Sequence, residues 1–373
     1  MCNPPAGEME GPYSARFPFS PIGETSRRAF GGRGVADERQ PVARMTMAPD
    51  TRQPDDHGGP GFYAHRPVMV EQIVELFAPV PAGLVIDATV GGGGHADAVL
   101  RSRPDLVLLG LDRDGDAIAA AGERLAEFAD RATLRRARFD ELATITETLG
   151  HIDVVAVLFD LGVSSWQLDR ADRGFSHRHE APLDMRMDQR GALSADDVVN
   201  GYPDTELVRV LREYGDERHA RAIARAIVGA RPIRTTTELA EVVRDAIPAP
   251  ARRRGRHPAT RSFQAIRIEV NQELAVLPGA IDQAVALLVP GGRCAVLSYH
   301  SGEDRIVKER FLVAESGGCT CPAHLPCVCG AIPQVRILRR GGWTPSDAER
   351  ASNRRAESAR LRAVEKLATE VAA

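Results

Sequence analysis

The chain has 373 residues, of which 43% are hydrophobic and 27% charged, and its formal net charge is −3. This length can bury a substantial core and leaves room for two domains plus tails, and the balance of charge excludes a uniformly basic nucleic-acid binder. Basic residues cluster instead at Arg252-Arg253-Arg254-Gly255-Arg256 and from Arg336 to Lys366, where they could form a local binding face.

Residues 1–60 are rich in Gly, Pro, Arg and small polar residues without apolar periodicity, which predicts a disordered N-terminal tail. It lacks the basic-then-apolar pattern of a secretory signal. No later stretch approaches the ~18 apolar residues of a membrane span, so a cytoplasmic protein with no membrane partner is expected. From His65 onward Val70, Ile73, Val74 and Phe77 recur at helical spacing, and Pro79 and Pro81 end that helix. Strands are predicted at 84–88, 106–111, 132–135 and 154–159, with helices near 94–102, 114–128 and 140–149 between them, the alternation of a doubly wound α/β sheet.

The next strand is expected at 293–299, after Val289-Pro290-Gly291-Gly292. A βα crossover needs only ~30 residues, so the span from Leu161 to Arg293 carries an insertion. Its segments 195–200, 204–214, 217–228 and 236–245 have helical periodicity, and Thr235-Thr236-Thr237-Glu238 is a capping signature. The predicted organisation is a sheet domain over 61–165 and 260–345, an inserted helical substrate domain over 166–259, and a basic helical segment over 346–373.

The stretch Val85-Ile-Asp-Ala-Thr-Val-Gly-Gly-Gly-Gly-His95 is an apolar strand running into an acid and a glycine cluster. Glycines without Cβ let the backbone approach a ligand, and the following helix presents free N–H groups to it. Gly91-x-Gly93-x-x-Ala96 satisfies a dinucleotide fingerprint, with Asp112 placed 19 residues after Gly93 to grip ribose hydroxyls. Enzymes using S-adenosylmethionine share this geometry, so the loop leaves hydride and methyl transfer both open. After the fourth strand comes Asp160-Leu-Gly-Val-Ser-Ser165, at the sheet edge where ligands bind. Asp160 or the Ser164 hydroxyl could accept an amine proton in a methyl transfer to a nucleobase. Against this stands the simpler reading of turn and helix caps.

Six cysteines occur, four of them in Cys319-Thr-Cys321-Pro-Ala-His324-Leu-Pro-Cys327-Val-Cys329. Such density in a reducing compartment points to metal before disulfides, although Cys-x-Cys is tighter than the usual zinc spacing. Zinc and an unliganded loop stand as equal readings, and no metal is assigned to the reaction.

Asp160-Leu-Gly-Val-Ser-Ser-Trp-Gln-Leu-Asp169, Arg173-Gly-Phe-Ser176, Pro182-Leu-Asp-Met-Arg-Met-Asp188, Tyr214-Gly-Asp-Glu-Arg218, His257-Pro-Ala-Thr-Arg-Ser-Phe-Gln-Ala-Ile-Arg267 and Ser298-Tyr-His-Ser-Gly-Glu-Asp-Arg-Ile-Val-Lys308 together resemble the ribosomal RNA small subunit methyltransferase H family over about residues 62–365. The resemblance implies a class I methyltransferase sheet with a helical insertion. It also implies S-adenosylmethionine as cofactor, and N4 of a cytidine in the decoding region of 16S rRNA, within the small ribosomal subunit, as target. Gly93, Gly94 and His95 would line the methionine end, Asp112 would take the ribose, Phe139 the adenine, and Asp160 and Gln167 would complete the site. Asp160, Ser164 and His300 are the candidate catalytic residues, and Arg256, His257 and Arg261 the candidate RNA contacts. Tyr299 and Gly302 depart from the expected Ser-Phe-His-Ser-Leu-Glu, and Trp166 stands where proline is frequent. A DNA cytosine methyltransferase, a nicotinamide-dependent oxidoreductase and a non-catalytic ribosome-assembly factor are the rival readings.

Overall fold

A computed structural model describes residues 67–368 apart from 151–152, 165–166, 168–169, 253–256, 323 and 325–327. The expectations for residues 1–60, Trp166, Arg256 and Cys327 lie outside the described residues. Seven strands, β1 (Gly83–Asp87), β2 (Leu106–Asp112), β3 (Ala132–Arg136), β4 (Val154–Asp160), β5 (Leu288–Ser298), β6 (Val335–Ile337) and β7 (Arg360–Lys366), form one sheet in the order β3-β2-β1-β4-β5-β7-β6. The first five are parallel, and β7 runs antiparallel to both β5 and β6. This is the expected class I methyltransferase sheet.

Parallel strands buried on both faces need apolar residues at successive positions. Accordingly Leu84 and Ile86 of β1, with Val157 and Phe159 of β4, pack on one face, while Val85, Val155 and Leu158 pack on the other. The second face is covered by α1 (Val70–Phe77), α2 (Gly94–Ser102) and α3 (Gly115–Arg124), which bury Phe77, Leu100 and Ala121. The first is covered by α4 (Leu142–Thr148), with Leu142 buried. Asp114 caps α3 by accepting from the Asp116 N–H at 3.1 Å, which leaves Asp112 at the strand end for another task.

Between β4 and β5 the chain forms α5 (Asp204–Glu213), α6 (Ala220–Ala230), α7 (Thr236–Ala246), the single turn α8 (Ala249–Arg252), α9 (Thr260–Asn271) and α10 (Glu273–Leu287). The predicted box closes α7: Thr235 Oγ1 accepts from the Glu238 N–H at 3.2 Å, and Glu238 returns a carboxylate to the Thr235 N–H at 3.2 Å. Residues 195–200, expected as a helix, make a π-helical turn at Asp197–Gly201. The helical unit has its own core, built from Leu207, Leu211, Ile223, Ile227, Leu239 and Val243. Phe263, Ala265, Ile266 and Val270 of α9 belong to that core. The helical unit therefore extends past residue 259, and α10 is the element that returns to the sheet with Leu277 and Ile281. The break falls at Gln272, a left-handed residue with φ 54° that ends α9 and begins α10.

After β5 comes α11 (Ser301–Ser316), and α12 (Asp347–Ser352) follows β6. The expected helix over 346–373 is limited to α12 and a 3₁₀ turn at Arg354–Ser358, and the segment ends in β7. The cause is the open edge of β5, which β7 pairs from Arg293–Glu365 to Ser298–Arg360. The basic residues are tied up in doing so: Arg362 forks onto Asp304 at 2.7 and 2.9 Å, and Arg293 and Arg336 share Glu365. No described helix is long and apolar enough to cross a membrane.

Candidate cofactor and substrate crevice

The C-terminal ends of β2, β1 and β4 lie side by side and each ends in an aspartate. Asp87 is 3% exposed. Burial pushes its carboxyl up to about 7, opposed by His95 and the Thr89 N–H and reinforced by Asp160 and Asp112. Asp112 is lifted to about 6, again by burial, against the pull of two backbone donors. Those donors are the Asp114 N–H on Oδ1 at 2.9 Å and the Gly91 N–H on Oδ2 at 3.0 Å. Each oxygen keeps a second lone pair, so the carboxylate is held in place without being used up.

The glycine bend is a backbone requirement. Gly91 and Gly93 have φ of 51° and 78°, and Gly93 caps α2 in the left-handed conformation. A Cβ on Gly94 would stand 2.5 Å from Pro67 Cγ, whereas one on Gly92 would meet nothing within 4 Å. A Cβ on Gly91 would lie 4.0 Å from that of Ser164, so the bend and the turn after β4 face each other across one crevice.

Asp160 joins the two segments. Its N–H donates to Thr89 Oγ1 at 2.6 Å, its Oδ2 lies 3.5 Å from His95 Nδ1, and its Oδ1 accepts from the Tyr299 hydroxyl at 2.6 Å. Burial raises the Asp160 carboxyl above its usual range, while His95 and the Tyr299 hydroxyl hold it back. His95 is 5% exposed, with Nε2 2.9 Å from the Val68 carbonyl. A carbonyl only accepts, so Nε2 donates to it, and this contact turns Nδ1 toward Asp160. Tyr299 stands out in the sequence only as a departure. Its partnership with Asp160 spans 139 positions, which no local pattern reveals.

Ser164 and Gln167 hold each other: Ser164 N–H donates to Gln167 Oε1 at 3.1 Å and Gln167 N–H to Ser164 Oγ at 3.3 Å. Gln167 Nε2 then donates to Asp114 Oδ2 at 2.9 Å. The Gln167 amide is thereby committed to joining the turn to α3, whereas the Ser164 hydroxyl keeps its proton. Phe139 lies edge-on to Phe159, centroids 5.8 Å apart, in the apolar layer with Leu111 and Leu142. It follows Ala137, whose N–H donates to the Asp112 carbonyl at 3.0 Å, so the segment leading to Phe139 starts beside the end of β2. His300 caps α11: Nδ1 accepts from the Glu303 N–H at 3.4 Å, and Nε2 lies 3.1 Å from Glu303 Oε1 without hydrogen-bonding alignment. Its ring serves the helix end.

At the helical unit, Ser301 Oγ donates to Asp216 Oδ2 at 2.9 Å and Arg261 donates to the Asp216 carbonyl at 3.2 Å. Arg261 is thus linked through Asp216 and Ser301 to the segment that carries Tyr299. His257 is stacked on His177, centroids 4.3 Å apart, and His177 meets the edge of Phe263. Burial lowers His177 to about 4 and depresses His257, so the pair is uncharged at neutral pH. Arg252 is drawn back onto the Ile247 carbonyl at 2.6 Å and the Asp245 carbonyl at 2.9 Å, closing the end of α7. Arg173, inside Arg173-Gly-Phe-Ser176, is 1% exposed and anchors the helical unit. Its guanidinium donates to Asp114 at 3.0 Å and to the carbonyls of Arg186 and Met187.

The crevice therefore combines a backbone bend, an acidic cluster in which Asp160 and Asp112 both push the Asp87 carboxyl up, and an acceptor at Asp160 fixed by Tyr299. Such a site favours a ligand with positive charge, because a cation relieves the repulsion. S-adenosylmethionine carries both a sulfonium and an ammonium and fits this donor set. Residues 62–367 match the MraW methylase family. Proteins named ribosomal RNA small subunit methyltransferase H are 53% identical over 313 residues in Salinispora arenicola, covering 82% of this chain and 83% of that one. The one from Symbiobacterium thermophilum is 51% identical over 310 residues, covering 82% and 97%. The one from Acidothermus cellulolyticus is 54% identical over 314 residues, covering 83% and 95%. An rRNA methylase structure from Streptococcus thermophilus aligns with 80% of this chain and 95% of its own at 12% identity and TM-score 0.35, too loosely to argue from. The chain belongs to the MraW methylase family, whose members use S-adenosylmethionine as the methyl donor.

Proposed function

We propose that this protein methylates N4 of a cytidine in the decoding region of 16S rRNA, acting in the cytoplasm on an assembled or nearly assembled small ribosomal subunit. The observation that carries the reading is the ring of Asp87, Asp112 and Asp160 around the glycine bend. It also discriminates between cofactors: a dinucleotide would bring a pyrophosphate anion against an acidic cluster, whereas a sulfonium is drawn in. The nicotinamide reading is disfavoured on that ground.

Bound in this crevice, the donor supplies an electrophilic methyl on a good leaving group. The remaining work belongs to the chain. Asp112 receives the ribose hydroxyls, Gly93 and Gly94 keep the backbone clear for the methionine end, His95 supports Asp160 beside it, and the Phe139 ring borders the adenine. Asp160 accepts an N–H of the cytosine amine, which turns the nitrogen toward the methyl, and afterwards it takes up the amine proton. The Ser164 hydroxyl is a second acceptor across the crevice. Positioning of this kind supplies much of the rate when reacting atoms are held ~3 Å apart. Arg261, together with Arg256 and His257, would contact RNA, with the guanidinium groups on phosphate and the uncharged His257–His177 stack offered to a base. Extruding the cytidine costs a few kcal/mol, least where RNA is irregular, which favours a structured ribosomal site over duplex DNA.

The test is incubation with methyl-labelled S-adenosylmethionine and small subunits from cells lacking this activity, followed by digestion to nucleosides. Label in N4-methylcytidine is expected. Tight cofactor binding without transfer would favour an assembly factor, and transfer to DNA in preference to subunits would overturn the proposed substrate.

A further inference from the structure

The loop between α11 and β6 is not used by the reaction, and its construction needs an explanation. Both ends are tied to the last turn of α11: the Gly318 N–H donates to the Val313 carbonyl and the Gln334 N–H to the Ala314 carbonyl, each at 2.9 Å. Gly317 permits this closure, since a Cβ there would sit 2.3 Å from the Ile332 carbonyl oxygen. Between these ends the described residues bury no apolar side chain, and Val328 is 89% exposed. A loop without a core has little to fix its shape.

Three thiols nevertheless converge in it. The sulfurs of Cys319, Cys321 and Cys329 all lie within 4.8 Å of one another, and those of Cys319 and Cys329 are 3.6 Å apart. A disulfide would need about 2.05 Å. Tetrahedral zinc with Zn–S of about 2.3 Å places its sulfurs about 3.8 Å apart. The backbone N–H groups of Val328 and Cys329 point at the Cys321 sulfur, the contact that stabilises a metal-bound thiolate. Thiolate sets of this kind select zinc over hard cations.

We propose that Cys319, Cys321 and Cys329 bind a structural zinc ion that clips this loop. The ion stands apart from the chemistry: α11 starts beside the crevice and runs for 16 residues before the loop begins, about 24 Å at 1.5 Å per residue. The sequence offers two fourth ligands, His324 and Cys327, the latter outside the described residues.

Full-length protein, purified reduced and without chelator, is assayed for metal by plasma mass spectrometry. The same protein, stripped and reloaded with cobalt(II), is examined by visible absorption. One zinc per chain is expected, together with the d–d bands and sulfur charge-transfer of a tetrahedral thiolate site. The combined Cys319→Ser, Cys321→Ser and Cys329→Ser variant should lose both while binding S-adenosylmethionine as before. Loss on Cys327→Ser but not on His324→Ala gives a four-thiolate site, and the reverse gives three thiolates and an imidazole; either supports the clip. No metal with no cobalt spectrum overturns it, as does metal retained by the triple variant, iron in place of zinc, or a pair of thiols that react only after reduction. The cobalt spectrum uses the unaltered chain, so a variant that fails to fold leaves the test intact.

Discussion

Replacing Tyr299 by phenylalanine removes one atom from the crevice and gives a direct measure of how Asp160 works. The hydroxyl donates to Asp160 Oδ1 at 2.6 Å and opposes the upward push of burial on that carboxyl. A hydrogen bond to a charged acceptor is worth about 1.5–3 kcal/mol, and one pKa unit corresponds to about 1.4 kcal/mol. Losing it should raise the Asp160 pKa by about one to two units. Asp160 accepts from the cytosine amine only when ionised, so activity climbs with pH through its pKa. The acid limb of the kcat profile in Tyr299→Phe should therefore move to higher pH by about one to two units, with the plateau at alkaline pH largely restored. The assay is methyl transfer to small subunits across pH 5 to 9, with thermal unfolding as a control for folding. Superimposable profiles for a folded variant would show that Asp160 is not the group whose ionisation limits the reaction.

Asp112→Ala should weaken S-adenosylmethionine binding about 10- to 100-fold by calorimetry, the loss of one or two charged hydrogen bonds, while circular dichroism stays unchanged; equal affinity would remove Asp112 from the ribose. The Asp87 carboxyl is lifted from 3.8 to about 7, so its protonated form is favoured by folding, and its contribution is present below pH ~4 and lost as pH rises through ~7. Asp87→Asn should abolish that decline, about 2–3 kcal/mol over the window measured, in urea unfolding between pH 5 and 8, and parallel curves for the two proteins would refute it. Arg173→Met leaves Asp114 buried without its cation and should cost about 3–5 kcal/mol, seen as a large fall in Tm; a change of a degree or two would mean that the pair is not what fastens the helical unit.

The five parallel strands were legible because buried parallel strands are written as apolar runs, such as Val154 to Phe159, ended by acids and glycines. The helices of the insertion were legible from their period, and α7 even from its cap at Thr235. What escaped depends on partners distant in sequence. Arg360-Leu-Arg-Ala-Val-Glu-Lys366 reads as a solvated basic stretch until Asp304 neutralises Arg362 and the edge of β5 demands a strand. Gln272 is neither glycine nor proline, so nothing announced that α9 stops there and stays with the helical core. At the site, the aspartates at strand ends and the glycine bend were visible, because backbone geometry dictates those residue types. Histidine is an uncommon cap, so its spacing to Glu303 gave no warning that His300 would turn onto α11. The ties of Gln167 to Asp114 and of Tyr299 to Asp160 arise only once β4, β5 and α3 are assembled.

A crystal structure with S-adenosylhomocysteine bound tests the central claim most directly. The sulfur should lie between the Gly91–Gly94 bend and the Asp160–Ser164 turn, with the ribose hydroxyls on Asp112 and the open side facing Asp160. Density for the ligand elsewhere, or a crevice in which Asp112 touches only Gly91 and Asp114, would contradict the account.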